Sequence, residues 1–167
     1  YLNDCIPQMT HGGSMRYVVS KKNSSSQRLA NILKYEKKNK IDKIDAALKF
    51  KKNCLESKTL LRKKIINLKK KGNKVCGYGA TSKSTTILNF CKIDYKHIDF
   101  ICDTTPEKQN KFSPGAHIPI KSMQYFYKNI PSHIYLFAWN HKKEIFRKEK
   151  KILNKVKWFS HVNLKND

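Results

Sequence analysis

Residues 74–90 read Lys-Val-Cys-Gly-Tyr-Gly-Ala-Thr-Ser-Lys-Ser-Thr-Thr-Ile-Leu-Asn-Phe, and this stretch decides the fold of the chain. The apolar run that ends at Cys76 is typical of a short buried strand. Gly77 and Gly79 allow a tight turn there and a close approach of the backbone to a ligand. Hydroxyl side chains follow, so we expect a helix over residues 81–90. Its candidate N-cap residues are Thr81, Ser82 and Ser84.

A strand, a glycine-rich turn and a helix form an arrangement that binds phosphate, because the first turn of a helix has unpaired N–H groups and a positive dipole end. Lys83 adds a mobile cation. The stretch fits the dinucleotide fingerprint G-x-G-x-x-G and the nucleotide-hydrolase pattern G-x-x-x-x-G-K-[ST] imperfectly, since Ser82 replaces a glycine in both. An ordinary strand–turn–helix corner without a ligand is the alternative. The predicted phosphate cradle comprises Gly77, Tyr78, Gly79, Ala80, Thr81, Ser82, Lys83 and Ser84.

The length and composition of the chain limit the classes of protein to which it can belong. Its 167 residues suffice for one domain of ordinary size and an appendage. It begins with Tyr1 rather than Met, so we expect a piece of a longer protein or a processed one. It has no apolar window of about 18 residues and no signal peptide, which predicts a cytoplasmic protein without a membrane partner. Five scattered cysteines without a C-x-x-C motif indicate reduced thiols rather than disulfides or zinc.

The formal net charge of +24 would suit nucleic-acid binding, because basic proteins gain from counterion release. The lysines, however, are spread over the chain and accompanied by many Asn and Ile residues, which is typical of compositional bias. Arginine dominates specific base contacts, yet it is scarce here, and no recognisable nucleic-acid module is present. We therefore expect no specific nucleic-acid partner, and weak non-specific binding at low salt.

Residues 1–22 are predicted to form two strands that trail a missing upstream domain. His11, in the turn between them, either faces a ligand or is a plain turn histidine. Residues 23–73 are predicted to be a linker and two helices, the second of which carries an apolar stripe that braces the missing domain against the following one. The expected strands are 2–9 and 15–19, and the expected helices are 27–38 and 42–70. The stripe comprises Ile44, Ala47, Leu48, Leu55, Leu61, Ile65 and Leu68.

Residues 74–167 alternate between strand and helix patterns. This predicts an α/β fold, a Rossmann-like parallel sheet with helices on both faces, preceded by an N-terminal hairpin and a long helix. The expected strands or extended pieces are 75–77, 97–103, 115–120, 133–139 and 158–162, and the expected helices are 81–90, 122–129 and 141–154. Ligands of such sheets bind beyond the carboxyl ends of the strands. Residues 77–83, 103–108 and 139–140 follow three strand ends, so we expect them to meet at one rim.

Polar residues at this rim have both a binding and a structural interpretation. Asp103 follows the glycine turn at the distance where a Rossmann fold places its ribose-binding acid, and it also resembles the magnesium acid of a hydrolase. Alternatively, it caps the next turn. Lys108 lies in a stiffened loop. This loop either closes over a ligand or is an ordinary connecting loop without a binding role. Trp139 either stacks on a base or packs in the core, and Asn140 either hydrogen-bonds the base or caps the next helix.

Five stretches complete the pattern. They are His11-Gly-Gly-Ser-Met-Arg16, Gly77-Tyr-Gly-Ala-Thr-Ser-Lys83 with Leu88-Asn89, Asp103-Thr-Thr-Pro-Glu-Lys108, Pro114-Gly-Ala-His-Ile-Pro-Ile120, and Trp139-Asn140. In order and spacing they resemble the C-terminal domain of S-adenosylmethionine-dependent C-methyltransferases that act on nucleotide-linked deoxysugars. The resemblance runs through residues 10–162.

The resemblance implies a three-part enzyme, in which a Cys-rich zinc module and a central S-adenosylmethionine domain precede the Rossmann-like domain. The nucleotide-sugar would lie between the central and C-terminal domains, with its diphosphate on residues 77–84 and its nucleoside beside residues 103–108. The other substrate-binding residues would be Asn89, Gly115, Trp139 and Asn140, and those near the domain junction His11, Gly12, Gly13 and Ser14.

The chain has no D-x-G-x-G-x-G methyl-donor loop and no zinc cysteine cluster, so we expect the fragment to bind neither cofactor and to be inactive alone. The catalytic residues, including a base that deprotonates a carbon beside a ketone, would lie upstream of Tyr1. Two other functions remain open. One is a nucleotide hydrolase that uses Lys83, Ser84 and Asp103. The other is a basic nucleic-acid-binding module with steep salt dependence.

Overall fold

The computed structural model describes residues 1–162, which form two compact units. The first unit is Tyr1–Cys54, and the second begins at Leu55. The first unit contains an antiparallel hairpin and a helix, and a long helix continues from it into the second unit. These elements are β1 (Leu2–Gln8), β2 (Ser14–Val19), α1 (Gln27–Lys38) and α2 (Ile44–Lys70).

A capping cluster fixes the start of α1. The hydroxyl of Ser26 accepts a hydrogen bond from the N–H of Leu29 at 3.1 Å and donates one to Asp4 at 2.6 Å. The guanidinium of Arg28 binds the same carboxylate at 2.7 Å. The bond from Arg28, followed by that from Ser26, lowers the pKa of Asp4 from 3.8 to about 2. The cluster therefore joins β1 to the first turn of α1.

The second unit is built around a five-stranded parallel sheet. Its strands are β3 (Val75–Tyr78), β4 (Phe100–Cys102), β5 (Ile120–Lys121), β6 (His133–Leu136) and β7 (Lys157–Phe159), and its further helices are α3 (Ser82–Cys91), α4 (Met123–Lys128) and α5 (Lys142–Lys148). The strand order β5-β4-β3-β6-β7 is that of a Rossmann-like sheet. The order reverses between β3 and β6.

Alternate side chains of the sheet build two separate cores. On one face, Val75 and Tyr135 pack with buried residues of α2 and α3. On the other face, Cys76 and Ile134 pack with Phe126 of α4 and with partly buried residues of α5. Because both faces are covered, the central strands β3, β4 and β6 are buried along their whole length, which is typical of parallel sheets.

The predicted α/β class is confirmed, including the parallel sheet with helices on both faces, the N-terminal hairpin and the long helix. Several predicted bounds are too long. The strand predicted over 97–103 is only Phe100–Cys102, and the helix predicted over 141–154 ends at Lys148. Most of the piece predicted as extended over 115–120 is loop. The strand predicted to Trp139 ends at Leu136, because the backbone of Ala138 (ψ 48°) turns into a short 3-10 helix.

The apolar stripe of α2 is buried only in its C-terminal half. Leu61 and Ile65 are fully buried in the core of the second unit, and Leu68 packs against that core. Ile44 and Leu48, by contrast, are exposed. The role of the helix in bracing another domain therefore stays a prediction, as do the domain boundaries expected near residues 22 and 73. Residues 163–167 of the expected last domain lie outside the described residues.

All five cysteines are free thiols. Cys54 is partly exposed, and the buried ones are Cys5, Cys76, Cys91 and Cys102. Within residues 1–162, no helix has the length and apolar character needed to cross a membrane.

Candidate functional site at the strand ends

The carboxyl ends of β3, β4 and β6 open into one cavity of about 640 Å³. It lies where the strand order reverses, which is the place where Rossmann-like sheets bind ligands. Two of the three predicted rim segments line it, through Gly79 after β3 and through Asp103 and Lys108 after β4. The third predicted segment, residues 139–140, does not line the cavity. The residues on either side of it, Ala138 and His141, line the cavity instead.

The backbone of the glycine turn is largely engaged within the fold. Gly79 adopts a φ of +89°, as a glycine turn requires, and its N–H donates to the carbonyl of Cys102 at 2.9 Å. The N–H of Ala80 donates to Asp103 at 2.7 Å, and that of Thr81 to the carbonyl of Gly79 at 3.0 Å. Three N–H groups that the sequence offers to a phosphate therefore already have acceptors inside the protein.

Hydroxyl groups at the start of α3 are likewise engaged in hydrogen bonds within the protein. Thr81 is the N-cap among the three candidates, and its hydroxyl accepts from the N–H of Ser84 at 3.2 Å. The hydroxyl of Ser84 is buried and donates to the carbonyl of Thr81 at 2.6 Å. Ser82 is the exposed first residue of the helix. In this arrangement Ser84 does not present its hydroxyl as a hydrolase requires for magnesium.

Asp103 is a buried carboxylate that joins two turns. Its Oδ2 accepts from the N–H of Ala80 at 2.7 Å, and its Oδ1 accepts from the N–H of Thr105 at 2.8 Å. The ammonium of Lys108 lies 3.7 Å from Oδ2 and donates to the carbonyl of Ala80 at 2.9 Å. This geometry agrees with the structural interpretation of Asp103, in which it caps the next turn. Binding of a ribose by Asp103 stays a prediction.

Lys83, Trp139 and Asn140 form a cluster beside the cavity. The ammonium of Lys83 is 3.0 Å from Oδ1 of Asn140 and 5.8 Å from the centre of the Trp139 ring. Asn140 does not cap α5, whose N-cap residue is His141. Trp139 is half-buried and lines a separate cavity of about 270 Å³ among other aromatic rings. The structure thus brings these three predicted residues together, at a distinct place from Asp103 and Lys108.

Three further predicted residues have packing roles. A Cβ atom at Gly77 would lie 2.4 Å from Cε2 of Phe137, so the ring packs directly on this glycine. A Cβ atom at Gly115 (φ +74°) would lie 2.0 Å from Oδ1 of Asn89. The amide of Asn89 donates to the carbonyl of Pro114 at 3.0 Å. Asn89 and Gly115 therefore join α3 to the loop before β5, and their contact with a substrate stays a prediction.

Tyr78 combines a place at the cavity with a buried hydrogen bond. Its hydroxyl donates to Glu149 at 2.7 Å, and the hydroxyl of Tyr127 donates to the same carboxylate at 2.9 Å. Burial, and then the bond to Glu149, raises the pKa of Tyr78 far above its ordinary value. The same two causes raise the pKa of Tyr127 to about 12. Both hydroxyls therefore stay protonated at neutral pH and hold the buried carboxylate in place.

Sequence reasoning missed the residues that α5 and its first turn contribute to the cavity. His141, Glu144 and Lys148 lie three and seven positions apart, and Arg147 adjoins them. That spacing places them on one helix face, which was the available signal. His141 and Glu144 lie 3.7 Å apart within the site.

The predicted junction residues lie in the first unit. His11, Gly12 and Gly13 lie in the exposed turn between β1 and β2, where His11 has a φ of 55° and Gly13 a φ of 128°, and Ser14 is the exposed first residue of β2. Their position near a domain junction stays a prediction. No group of three or more His, Cys, Asp and Glu side chains within residues 1–162 is arranged to hold a metal ion.

A parallel sheet of this order, with a cavity of mixed polar and apolar lining at its switch point, defines the second unit as a Rossmann-like domain. The chain belongs to the C-methyltransferase C-terminal domain family, whose sequence profile matches residues 9–162. It is also similar to the C-methyltransferase NovU of Streptomyces niveus, with 40% identity over 82 residues. That match covers 49% of this chain and 20% of the relative. The family predicted from the five motifs is thereby confirmed.

Proposed function

We propose that this chain is the nucleotide-sugar-binding part of an S-adenosylmethionine-dependent C-methyltransferase that acts on a nucleotide-linked deoxy-keto sugar. Membership of the C-methyltransferase C-terminal domain family supports the class of enzyme. The cavity at the ends of β3, β4 and β6 is the observation that carries the binding role.

The size and lining of the cavity suit a substrate of this kind. Its volume of about 640 Å³ lies within the range of small-molecule sites, which is roughly 300–1,000 Å³. Cys102, Met123 and Ala138 give it apolar surface, while Thr104 and Thr105 add hydroxyl groups. Mixed apolar and polar linings of this type hold a sugar and a base by packing and orient them by hydrogen bonds.

The remaining chemistry belongs, in this proposal, to other parts of a longer cytoplasmic enzyme. A central domain would bind S-adenosylmethionine, and an N-terminal module would bind zinc. The base that removes the proton beside the ketone would also lie in those domains. They are the partners that we propose for this chain, together with the nucleotide-sugar. Exposed apolar residues of the first unit, such as Tyr17 and Val19 of β2, support a covering partner there.

Calorimetric titration of the chain at roughly 150 mM salt tests the proposal, because screening then suppresses weak non-specific binding by the lysines. The ligands are a thymidine diphosphate sugar, ATP with magnesium, and S-adenosylmethionine. We expect saturable binding of the sugar nucleotide alone. Magnesium-dependent binding of ATP alone would instead favour a nucleotide hydrolase. Binding of S-adenosylmethionine would contradict the proposed division of labour.

A blocking substitution locates the ligand. Thr104 is exposed and lines the cavity, so Thr104→Trp should fill the site without disturbing the core and should abolish binding of the sugar nucleotide. Thr86→Trp is the matched control, since Thr86 is an exposed residue of α3 that does not line the cavity. Equal binding by both variants would show that the sugar nucleotide lies elsewhere.

A further inference from the structure

Some of the charged side chains that line the 640 Å³ cavity already have a partner among the described residues of the protein, and others do not. Its acids are Asp103 and Glu144, and its full cations are Lys108, Arg147 and Lys148. Asp103 accepts two backbone hydrogen bonds, and Glu144 lies 3.7 Å from His141. Asp103 is thus already bound within the protein, and Glu144 has an imidazole as its neighbour.

A diphosphate in this cavity needs donors, and the glycine turn supplies few of them. The N–H groups of Gly79, Ala80 and Thr81 donate to acceptors within the protein, and so does that of Ser84. An anion bound to these four N–H groups would therefore have to displace internal hydrogen bonds. Charged side chains remain as the main source of phosphate contacts, because hydrogen bonds between ionised groups are stronger than neutral ones.

Two of the lysines near the site are committed to other groups. The ammonium of Lys108 donates to the carbonyl of Ala80 and lies 3.7 Å from Asp103, which compensates its charge. The ammonium of Lys83 contacts Asn140 and the Trp139 ring, and Lys83 is not among the described residues that line this cavity.

Arg147 and Lys148 differ from both lysines. They occupy the last turn of α5, are exposed to solvent and line the cavity directly. Within residues 1–162, neither has an acidic side chain within ion-pair distance. Glu149, their neighbour in sequence, is buried and bound by Tyr78 and Tyr127. The two cations are therefore available to a ligand at no cost in internal contacts.

We infer that Arg147 and Lys148 bind the diphosphate of the nucleotide-sugar, in place of the glycine turn and Lys83. This assignment rests on the proposed function and names the residues that recognise the charged part of the substrate. The guanidinium of Arg147 can contact two phosphate oxygens at once, and the ammonium of Lys148 adds a point charge. The glycine turn then serves to shape the wall of the cavity, with Asp103 holding it.

The test is titration of the chain with thymidine diphosphate, the nucleotide without its sugar, at roughly 150 mM salt. The double variant Arg147→Gln/Lys148→Gln removes the two lining cations. We expect binding at least tenfold weaker, since a hydrogen bond to a charged group contributes about 1.5–3 kcal/mol. Arg147→Lys should recover only part of the loss, because a lysine cannot make the paired contact.

Two controls separate this role from the general effect of charge. Lys143→Gln/Lys150→Gln removes the same charge from exposed positions around α5 that do not line the cavity, and binding should change by less than about twofold. Lys83→Gln should behave like this control. Circular dichroism of every variant checks that the fold is retained.

The outcomes distinguish the inference from the function on which it rests. Loss of thymidine diphosphate binding in Lys83→Gln, with normal binding in Arg147→Gln/Lys148→Gln, would overturn the inference and leave the proposed function intact. Equal weakening in the lining and control pairs would also overturn it, because charge alone would then explain the effect. Failure of the unaltered chain to bind either thymidine diphosphate or its sugar conjugate would overturn both.

Discussion

At the scale of single residues, the side chain of Asn89 occupies the space that Gly115 leaves because it has no side chain. Gly115→Ala would place a Cβ atom 2.0 Å from Oδ1 of Asn89 and would strain a φ of +74°. We expect the free energy of unfolding to fall by about 2–3 kcal/mol, from the backbone strain and from loss of the hydrogen bond between Asn89 and Pro114 as the Asn89 side chain moves aside. Urea unfolding, followed by circular dichroism, measures the change.

Gly72→Ala is the matched control for that substitution. Gly72 has a φ of +72°, but a Cβ atom added there would have nothing within 4 Å, so only the strain of about 1–2 kcal/mol should appear. Adding Asn89→Ala to Gly115→Ala should cost little more, because the hydrogen bond of Asn89 to Pro114 is already lost. Equal losses for the alanines at 72 and 115 would mean that the contact with Asn89 is unimportant.

Asp4 provides a prediction on pH. Its pKa in the folded chain is about 2, below the ordinary 3.8, because Arg28 and then Ser26 bind its ionised form. Folding therefore favours the ionised carboxylate, so the stabilisation is present above about pH 4 and is lost as the pH falls through 2. Titration of the Asp4 carboxyl by NMR should give a midpoint near 2. A midpoint near 3.8 would contradict the bond to Arg28.

A variant connects this titration to structure. In Asp4→Asn the partner of Arg28 is uncharged, so the protection factor of the Leu29 amide, which removes the intrinsic pH dependence of hydrogen exchange, should no longer fall between about pH 4 and pH 2. In the unaltered chain this protection factor should fall over that range. The comparison separates the Asp4 contribution from the general effect of acid on the fold.

Helix α2 shows what a sequence pattern does and does not determine about an element. Seven apolar positions at helical spacing predicted one continuous stripe, and the helix is indeed continuous from Ile44 to Lys70. Burial, however, depends on what the rest of the chain places against each turn. Only Leu61 and Ile65 are fully buried, while Leu48 is exposed. Periodicity therefore predicts the helix, and tertiary packing decides which part of its stripe becomes core.

Neighbouring leucines of α2 test this distinction. Leu61 is 0% exposed and Leu60 is 38% exposed, although both belong to the same helical turn. Leu61→Ala should lower the free energy of unfolding by about 2–5 kcal/mol, because it leaves a cavity in the core. Leu60→Ala should lower it by less than about 1 kcal/mol. Thermal or urea unfolding measures both, and similar losses would contradict the burial pattern.

Element ends divide into those that the sequence could predict and those that it could not. The caps Ser26 and Thr81 act on N–H groups three residues away, so the local sequence predicts both helix starts. The end of α5 is different, because Glu149 next to it is bound by Tyr78 and Tyr127, which are 71 and 22 positions distant. Contacts at such separations leave no local pattern, and the helix predicted to residue 154 ends at Lys148.

The whole molecule carries 36 basic and 12 acidic residues. Repulsion among so many like charges opposes the compact state, and salt screens it, with a Debye length of about 10 Å at 0.1 M. We expect the melting temperature to rise between about 20 mM and 300 mM sodium chloride. Calorimetry at the two concentrations measures the shift. A melting temperature that falls with salt would mean that attractive ion pairs outweigh the repulsion.

The location of the site could be predicted on the same scale, whereas the charged residues that α5 contributes to it were not predicted. Parallel strands place their carboxyl ends at one edge, so the alternation of strands and helices predicted the rim that Gly79 and Asp103 share. Lys83 adjoins the glycine turn in sequence, yet its ammonium contacts Asn140. Arg147 lies far along the chain and lines the cavity. Proximity in sequence is thus a poor guide to which cation meets a ligand.

Burial of four thiols makes the chain convenient for site-specific labelling. Cys5, Cys76, Cys91 and Cys102 are shielded from reagents, whereas Cys54 is partly exposed. A maleimide should therefore modify the native chain once and the unfolded chain five times, which mass spectrometry can count. Because Cys54 is the last residue of the first unit and lies within α2, a fluorophore there would report on the helix at the boundary between the units without any introduced cysteine.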